Sequence, residues 1–151
     1  MKSTIEVLNR LQADGVLGLY AIGGAMAALF YSEPVATFDL DIFVVGPLYD
    51  QLRARGYEID RESVLIEAVP VQFLPAYNAL VEEALTAARD VQFDDVPTRV
   101  MGVEHLIAIA IQTGRDKDRD RVRHLLRAAG LDRNFLAQIC ARHTLPLPIV
   151  N

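Results

Sequence analysis

Apolar residues recur at every third or fourth position near the N-terminus, which is the spacing of a helix with one buried face. Ile5 and Leu8 lie on that face, and Ser3 or Thr4 is expected to cap the start of the helix. The helix is expected to end at Gly15. The chain is therefore predicted to open with an amphipathic helix that packs on a core.

The pattern then changes to short apolar runs, which are typical of buried strands. Residues 18–22 and 37–45 form two such runs. Between them, Gly23-Gly24 breaks the first strand, and the alanine-rich residues 25–31 predict a helix. The predicted order is therefore strand, two-glycine turn, helix and strand.

The same two patterns continue along the rest of the chain, with a tight hairpin expected at Val69-Pro70. Further strands are predicted at 57–60, 64–67 and 71–74, with brief extended pieces at 91–93 and 98–101. Further helices are predicted at 48–55, from Asn78 to about 88, at 103–113, from about 115 to 129, and at 133–143 after a cap at Asp132.

These elements predict an α/β (α+β) fold, in which a mixed β-sheet is flanked by helices and the C-terminal third is helical. We expect a single domain over residues 1–151, because no linker or internal repeat interrupts the pattern. Its mixed α/β core would span residues 1–101, and residues 102–151 would form a helical part packed on that core.

Composition narrows the class of protein. A hydrophobic fraction of 52% in 151 residues is enough for a real core. The net charge of −5 argues against general DNA binding, which favours basic proteins. One cysteine, Cys140, excludes an internal disulfide. No apolar run approaches the ~20 residues that span a bilayer, and no apolar signal core is present, so a cytoplasmic protein without membrane contact is expected.

The strand at 37–45 carries two acids that share one face. Asp39 and Asp41 alternate with apolar residues, so their side chains stand on the same side of the strand. Two like charges so placed repel each other unless a cation lies between them. The turn at Gly23-Gly24 offers backbone N–H groups to a phosphate. Together they favour a site for a metal-bound phosphate compound.

A later segment alternates basic and acidic residues from Arg115 to Arg123. Mutual neutralisation on a solvated helix start is the expected role of these charges. The three histidines lack the spacing of a metal site and are expected at the surface or in packing. Tyr31 is the one aromatic residue that we expect as a possible lining of a pocket.

The Gly23-Gly24 turn, the helix after it and the segment Thr37-Phe38-Asp39-Leu40-Asp41 together resemble the signature of the nucleotidyltransferase superfamily, whose members have a polymerase-beta-like fold. Within that superfamily the chain is most similar to the minimal, abortive-infection type. Residues 102–122 resemble the C-terminal helix of that type and the Arg-x-Lys-Asp segment after it. The resemblance covers about residues 18–125.

The resemblance implies an enzyme that uses a nucleoside triphosphate (NTP) and Mg²⁺ or Mn²⁺. Asp39 and Asp41 would be the catalytic, metal-binding residues. The nucleotide phosphates would contact the glycine turn and three further side chains; these binding residues are Gly23, Gly24, Thr37, Arg115 and Lys117. Asp118, which completes the Arg-x-Lys-Asp match, is interpreted mainly as a structural anchor for an arginine or the backbone.

The sequence departs from the family pattern at three places. Gln72 stands where a later strand commonly carries a third carboxylate, and an amide cannot act as a general base. Glu67 lies nearby but is not expected to replace it. Relatives often carry a lysine near Ala110, and many active members have an arginine where this chain has Val35-Ala36.

Three hypotheses follow from the residues and the resemblance. The first is a nucleotidyltransferase that moves a nucleoside monophosphate to a hydroxyl acceptor, which could be a protein side chain, an RNA end or a small molecule. The second is a catalytically degenerate relative that binds a nucleotide or a partner, such as a toxin–antitoxin component. The third is a structural protein that keeps only the fold, in which the apolar stretches 103–111 and 145–150 would suit packing or homodimer contacts.

Overall fold

The computed structural model describes residues 1–31, 40–45 and 48–148 of the chain. Within these residues, the helices are α1 (Lys2–Ala13), α2 (Gly24–Ala28), α3 (Tyr49–Ala54), α4 (Ala79–Thr86), α5 (Val103–Thr113), α6 (Asp116–Leu125) and α7 (Arg133–Arg142). The strands are β1 (Tyr20–Gly23), β2 (Leu40–Val44), β3 (Ile59–Asp60), β4 (Ser63–Ile66), β5 (Val69–Pro75), β6 (Arg89–Phe93) and β7 (Val96–Val100).

The strands of these ranges form one mixed sheet in the order β3-β4-β5-β2-β1-β7-β6. β2 lies at its centre, antiparallel to β1 and parallel to β5. β1 pairs in parallel with β7, whereas β3 with β4, β4 with β5 and β6 with β7 are antiparallel. The mixed α/β architecture expected from the sequence is therefore confirmed.

Burial follows the apolar pattern of the sequence. All four β1 residues are buried. Four of the five β2 residues are also buried, and the fifth, Asp41, is half-buried. One apolar cluster takes side chains from α1, the central strands and the helices α5 to α7. The C-terminal helices thus pack on the same core as the sheet, because α5 contacts α2, α4, α6 and α7.

Several helix boundaries match the pattern closely. The predicted helix at 103–113 is α5, which ends at Gly114 with the left-handed backbone that favours glycine there (φ 70°). Two of the predicted caps, Asn78 and Asp132, are also present. Asn78 Oδ1 accepts a hydrogen bond from the Val81 N–H (2.9 Å), and Asp132 Oδ1 accepts one from the Phe135 N–H (3.0 Å).

The predicted N-terminal cap is wrong. The first helix begins at Lys2, so Ser3 and Thr4 lie inside it and Met1 is the capping position. Thr4 is buried, and its hydroxyl donates to the Ile66 carbonyl (3.1 Å), which ties α1 to the end of β4. The Thr4 hydroxyl, which the local pattern predicts as a cap, therefore makes a long-range hydrogen bond instead.

The hairpin between β4 and β5 turns two residues before the predicted position. Ile66 pairs with Val69, so Glu67 and Ala68 form the turn, both with positive φ (51° and 64°). Pro70 lies within the strand opposite Leu65. A two-residue turn of this kind usually carries asparagine or glycine, so Glu-Ala gives no local signal for it.

A carboxylate on α4 fastens the last helix to the sheet-covering helices. Glu83 accepts two hydrogen bonds from Arg142 (2.9 and 3.1 Å) and lies 2.7 Å from Nε2 of the buried His105 and 3.2 Å from Nε2 of His143. Burial alone raises the pKa of Glu83, but the hydrogen bonds from Arg142 and the two histidines outweigh it and lower the pKa from 4.5 to about 2.

The lowered pKa of Glu83 predicts a pH-dependent contribution to stability. A carboxyl whose pKa is lower in the folded state stabilises the fold above the unfolded pKa and loses that contribution as pH falls toward the folded value. We expect Glu83→Gln to lower Tm at pH 7 by roughly 2–8 °C, since losing charged hydrogen bonds costs about 1–2 kcal/mol. Thermal denaturation from pH 7 to pH 2.5 should also show a shallower loss of stability below pH 4.5 than in the native protein.

The matched control is Glu82→Gln, which changes the adjacent, exposed carboxylate on α4. That variant should leave both Tm and its pH dependence close to those of the native protein. Equal behaviour of the two variants would contradict the role assigned to Glu83.

Candidate functional site

An open cavity of about 500 Å³ lies between the end of the central strands and the helices α5 and α6. Its floor is formed by β2 and β5, and α5 contributes an apolar wall with Leu106 and Ile109. Its polar lining is made of Asp41, Gln72, Tyr77, Thr113, Arg115, Lys117, Asp118 and Arg121. One acid of the sheet, Asp41, thus faces cations at and after the start of α6 across one space.

Gly24 allows the Asp41 carboxylate to rest against the backbone at the edge of this cavity. Gly24 has a positive φ of 60°. A Cβ added to Gly24 would lie 3.0 Å from the Asp41 Cγ and 3.2 Å from the Asp41 Cβ, so it would overlap the Asp41 carboxylate. At the preceding position, a Cβ on Gly23 would collide with the Phe43 ring. Both glycines are therefore required by close approach, and Gly24 also by its backbone conformation.

The strand pairing explains why these groups meet. Gly23 is the register partner of Asp41 in the β1–β2 pair, and Asp41 is in turn the register partner of Gln72 in the β2–β5 pair. Paired residues on neighbouring strands point to the same face of a sheet. Gln72 therefore stands beside Asp41, at the position where the sequence predicted the departure from a third carboxylate.

Gln72 holds a carboxylate that the sequence did not single out. Its amide Nε2 donates to Glu62 Oε2 (2.9 Å), and Glu62 immediately precedes β4. Glu67, by contrast, lies in the hairpin turn at the other end of the β4–β5 pair, so it does not take the place of a third acid, as expected. Glu62 can be identified only from the register that places Ser63 opposite Gln72. The sequence predicts the hairpin turn two residues too late and therefore does not predict this register.

A buried carboxylate positions the cations of the cavity. The side chain of Asp118 is 2% exposed and accepts hydrogen bonds from Arg115 Nε (2.7 Å) and Arg115 Nη2 (3.3 Å), while Arg121 Nη1 lies at 3.6 Å. These Asp118 hydrogen bonds raise the pKa of Arg115, with a smaller coulombic contribution from Asp41. The interpretation of Asp118 as an anchor for an arginine is therefore confirmed.

The other charges of this helix neutralise one another, as the alternating pattern predicted. Arg119 pairs with Asp116 at 3.5 Å, and Arg123 pairs with Asp120, each three residues apart on the exposed face. Arg121 differs from these exposed arginines because it lines the cavity and its side chain is 21% exposed. Nothing in the sequence distinguishes it from the other arginines of α6.

The structure brings most of the predicted site residues together. Gly24, Asp41, Arg115 and Lys117 line the same cavity, and Gly23 lies directly beside Asp41 in the sheet. Thr37 and Asp39 lie outside the described residues.

Two other predicted features of the pocket are settled by contacts. Ala110 lines the cavity where relatives are expected to carry a lysine. Tyr31, expected as a possible pocket residue, donates its hydroxyl to the Met101 carbonyl (2.9 Å), which is a structural role.

The donors around Asp41 suit a hard divalent cation. Asp41 offers carboxylate oxygens at an open cavity, and oxygen is the ligand atom that Mg²⁺ prefers. Among the described residues, no group of three histidine, cysteine, aspartate or glutamate side chains could hold a metal ion. A metal at this position would therefore take its remaining oxygens from elsewhere, as Mg²⁺ does when it binds through one or two carboxylates, phosphates and water.

Solved structures share this architecture. The chain is similar to the crystal structure of ANT(2'')-Ia in complex with adenylyl-2''-tobramycin, with a TM-score of 0.61, 16% identity, and coverage of 95% of this chain and 96% of that one. The chain has a nucleotidyltransferase fold. A solution structure of the antibiotic-resistance factor ANT(2'')-Ia matches with a TM-score of 0.53 and 16% identity, covering 95% of this chain and 90% of that one.

A nucleotidyltransferase-like antigenic protein from Paracoccidioides brasiliensis has the same fold, with a TM-score of 0.58 and 14% identity over 95% of this chain and 86% of that one. No protein-family model and no curated protein sequence matches the chain. Among the described residues, no helix is long and apolar enough to cross a membrane. At these identities the likeness concerns the fold.

The close approach at Gly24 gives a prediction about stability. Gly24→Ala should destabilise the protein by more than Gly15→Ala in chemical denaturation. Both positions have positive φ (60° and 77°), which costs an alanine about 1–2 kcal/mol. A Cβ on Gly15 has nothing within 4 Å, whereas one on Gly24 must also push the Asp41 side chain away. Equal losses of stability in the two variants would show that Asp41 does not rest on Gly24.

Proposed function

We propose that this protein is a nucleotidyltransferase that moves a nucleoside monophosphate from an NTP to a hydroxyl acceptor. The observation that carries the proposal is the position of Asp41, which rests on Gly24 and faces Arg115 across one open cavity. A fold shared with solved nucleotidyltransferases supports it. We further propose that the chain is a single-domain, minimal member of the abortive-infection type and works in the cytoplasm.

The two sides of the cavity suit the two ends of a triphosphate. On the sheet side, the backbone N–H groups of the Gly23-Gly24 turn are proposed to meet phosphate oxygens beside Asp41, as the motif implies. On the helix side, Arg115 and Lys117 supply positive charge for phosphate oxygens that carry negative charge. Thr37 is proposed as a further phosphate contact from its place in the motif.

Nucleotidyl transfer depends on positioning and on charge neutralisation rather than on covalent chemistry by the protein. Asp39 and Asp41 would hold Mg²⁺ or Mn²⁺, which when bound supplies positive charge to the phosphates. Asp118 keeps Arg115 and Arg121 pointed at the cavity, so that both guanidinium groups are in place before the nucleotide arrives. Such preorganisation lowers the cost of binding a highly charged ligand.

One observation favours a second candidate function. The register neighbour of Asp41 is Gln72, an amide that cannot take a proton from an acceptor hydroxyl. A catalytically degenerate protein that binds a nucleotide or a protein partner, for example in a toxin–antitoxin pair, would need only the cavity. In its nucleotide-binding form, this second function differs from the first in turnover and not in nucleotide binding.

The test is transfer from labelled NTPs with Mg²⁺ or Mn²⁺ in the native protein and in Asp41→Asn. Acceptors in the assay should include tobramycin, because a ligand of ANT(2'')-Ia is adenylyl-2''-tobramycin. We expect Asp41→Asn to lower the rate at least about 100-fold, because several kcal/mol of charge stabilisation depends on the bound metal. Metal-dependent nucleotide binding, measured by calorimetry, should weaken in the same variant.

Asp95→Asn is the matched control, since Asp95 is an exposed acid in the β6–β7 turn at the other side of the sheet. Its transfer rate and nucleotide affinity should equal those of the native protein. Binding that depends on Asp41 without any transfer would favour the degenerate, binding-only function. Nucleotide binding that is unaffected by Asp41→Asn would overturn both the transfer and the nucleotide-binding form of the second function.

A further inference from the structure

A second cavity of about 400 Å³ adjoins the first one at the sheet edge. Gln72 and Leu74 line both cavities, so the two spaces meet at β5. The rest of the lining of the second cavity comes from α3, from the residues before β4 and from the last residues of β5. A compound in the second cavity would therefore sit beside whatever occupies the first.

The second cavity exists because β5 is longer than its partner. The pairing of β4 with β5 begins at Ser63 opposite Gln72, so β5 runs on past β4 from Phe73 onward. Tyr49 closes this free edge: its hydroxyl donates to the Glu62 carbonyl (2.7 Å) and accepts from the Phe73 N–H (3.3 Å). The Tyr49 ring also packs edge-on against Phe73 at 6.3 Å, which gives the cavity a rigid wall.

Glu62 stands at the junction of the two cavities. Its carboxylate lines the second cavity and accepts the hydrogen bond from Gln72, which lines both. This bond holds the Glu62 carboxylate beside Gln72, where the two cavities meet. A carboxylate is the kind of group that takes up such a proton, and Gln72 cannot.

The charge of the lining indicates the class of compound. Arg53 and Arg61 line the second cavity together with the single acid Glu62, although the whole chain has a net charge of −5. Arg53 is ion-paired with the fully exposed Asp50 (3.1 Å), and Arg61 is paired with no acid among the described residues. Asp50 lies outside the lining and its exposed pair with Arg53 is weak, so the two arginines still suit an anionic ligand and disfavour a compound that carries several amines.

We propose that the second cavity is the acceptor site, that its ligand is a hydroxyl compound bearing a phosphate or similar anionic group, and that Glu62 is the base for the acceptor hydroxyl. This inference rests on the proposed nucleotidyl transfer. The acceptor O–H loses its proton to the Glu62 carboxylate as its oxygen forms a bond to the α-phosphorus of the NTP. The bond from that phosphorus to the β-phosphate oxygen breaks, and pyrophosphate leaves with the electron pair. Glu62 then releases the proton to water.

Binding tests the site without any need for turnover. Calorimetry would compare glucose 6-phosphate, glucose and glucosamine, which share one hydroxyl frame but carry an anionic group, no charge and a cationic group. We expect glucose 6-phosphate to bind at least about tenfold more tightly than the other two, since charge-assisted hydrogen bonds to arginine distinguish it. Arg53→Gln/Arg61→Gln should remove that preference.

The control for this double variant is Arg119→Gln/Arg127→Gln, which removes the same charge. Like Arg53, Arg119 is ion-paired with an acid three residues before it, Asp116. Both arginines of the control are exposed and lie outside the second cavity. Its preference for glucose 6-phosphate should match that of the native protein. Tighter binding of glucosamine, or a preference that survives Arg53→Gln/Arg61→Gln, would overturn the assignment of the acceptor class.

The role of Glu62 is tested by kinetics with glucose 6-phosphate as acceptor. Glu62→Gln keeps the size of the side chain and should lower kcat about 100-fold, the contribution typical of a general base, while KM for the NTP stays within twofold. Glu67→Gln, at the opposite end of the same hairpin, is the matched control and should change neither. An unchanged kcat in Glu62→Gln would overturn its role as the base.

The two proposals fail in different ways. If nucleotide binding and transfer are insensitive to Asp41→Asn, the proposed function fails and the role of Glu62 falls with it. If transfer depends on Asp41 but neither on Glu62 nor on the two arginines, the reaction stands and the acceptor site lies elsewhere.

Discussion

The contact between the Asp41 carboxylate and the backbone of Gly24 is the constraint on which the rest of the site depends. It requires a residue without a Cβ, in a left-handed conformation, at the turn between β1 and α2. It also requires β2 to run beside β1, so that Gly23 and Asp41 become register partners. The same strand pairs with β5 on its other side, which places Gln72 next to Asp41. One central strand thus fixes three of the groups around the cavity.

The opposite wall of the cavity is held by a second buried charge. Asp118 is nearly inaccessible to solvent, and the two arginines that contact it compensate the cost of burying its charge. Its hydrogen bonds to Arg115 and its ion pair with Arg121 hold both arginines over the sheet end, so the site is made of a sheet half and a helix half. Further from the cavity, Glu83 joins α4 to α5 and α7 and keeps the helical part packed on that sheet.

The parts of the site that sequence could predict are those set by local pattern. Asp41 alternates with apolar residues and follows a two-glycine turn, so its strand, its face and its neighbour Gly24 can be predicted within one short stretch. The alternation of charges on α6 likewise predicts its ion pairs. Gln72 could be placed only by analogy with the family motif, and the β2–β5 register bears that placement out.

The residues that sequence missed depend on contacts between distant segments. Glu62 meets Gln72 through the register of the β4–β5 hairpin, and its Glu-Ala turn has no glycine or asparagine to mark the register. The local pattern predicts Thr4 as a helix cap. Its hydrogen bond to the Ile66 carbonyl spans 62 positions, so no local pattern can reveal it. Arg121 has the same kinds of sequence neighbours as the exposed arginines of α6. Only the packing of the helix makes its side chain less exposed than theirs.

A crystal structure of the protein with Mn²⁺ and a non-hydrolysable NTP analogue tests the role of Asp41 most directly. The predicted result is anomalous signal from Mn²⁺ within about 2.0–2.3 Å of an Asp41 carboxylate oxygen, close to the distances of hard cations. The triphosphate would lie between Gly24 and Arg115, with the second cavity open beside its α-phosphate. Mn²⁺ bound away from Asp41, or a nucleotide outside the cavity, would contradict the account.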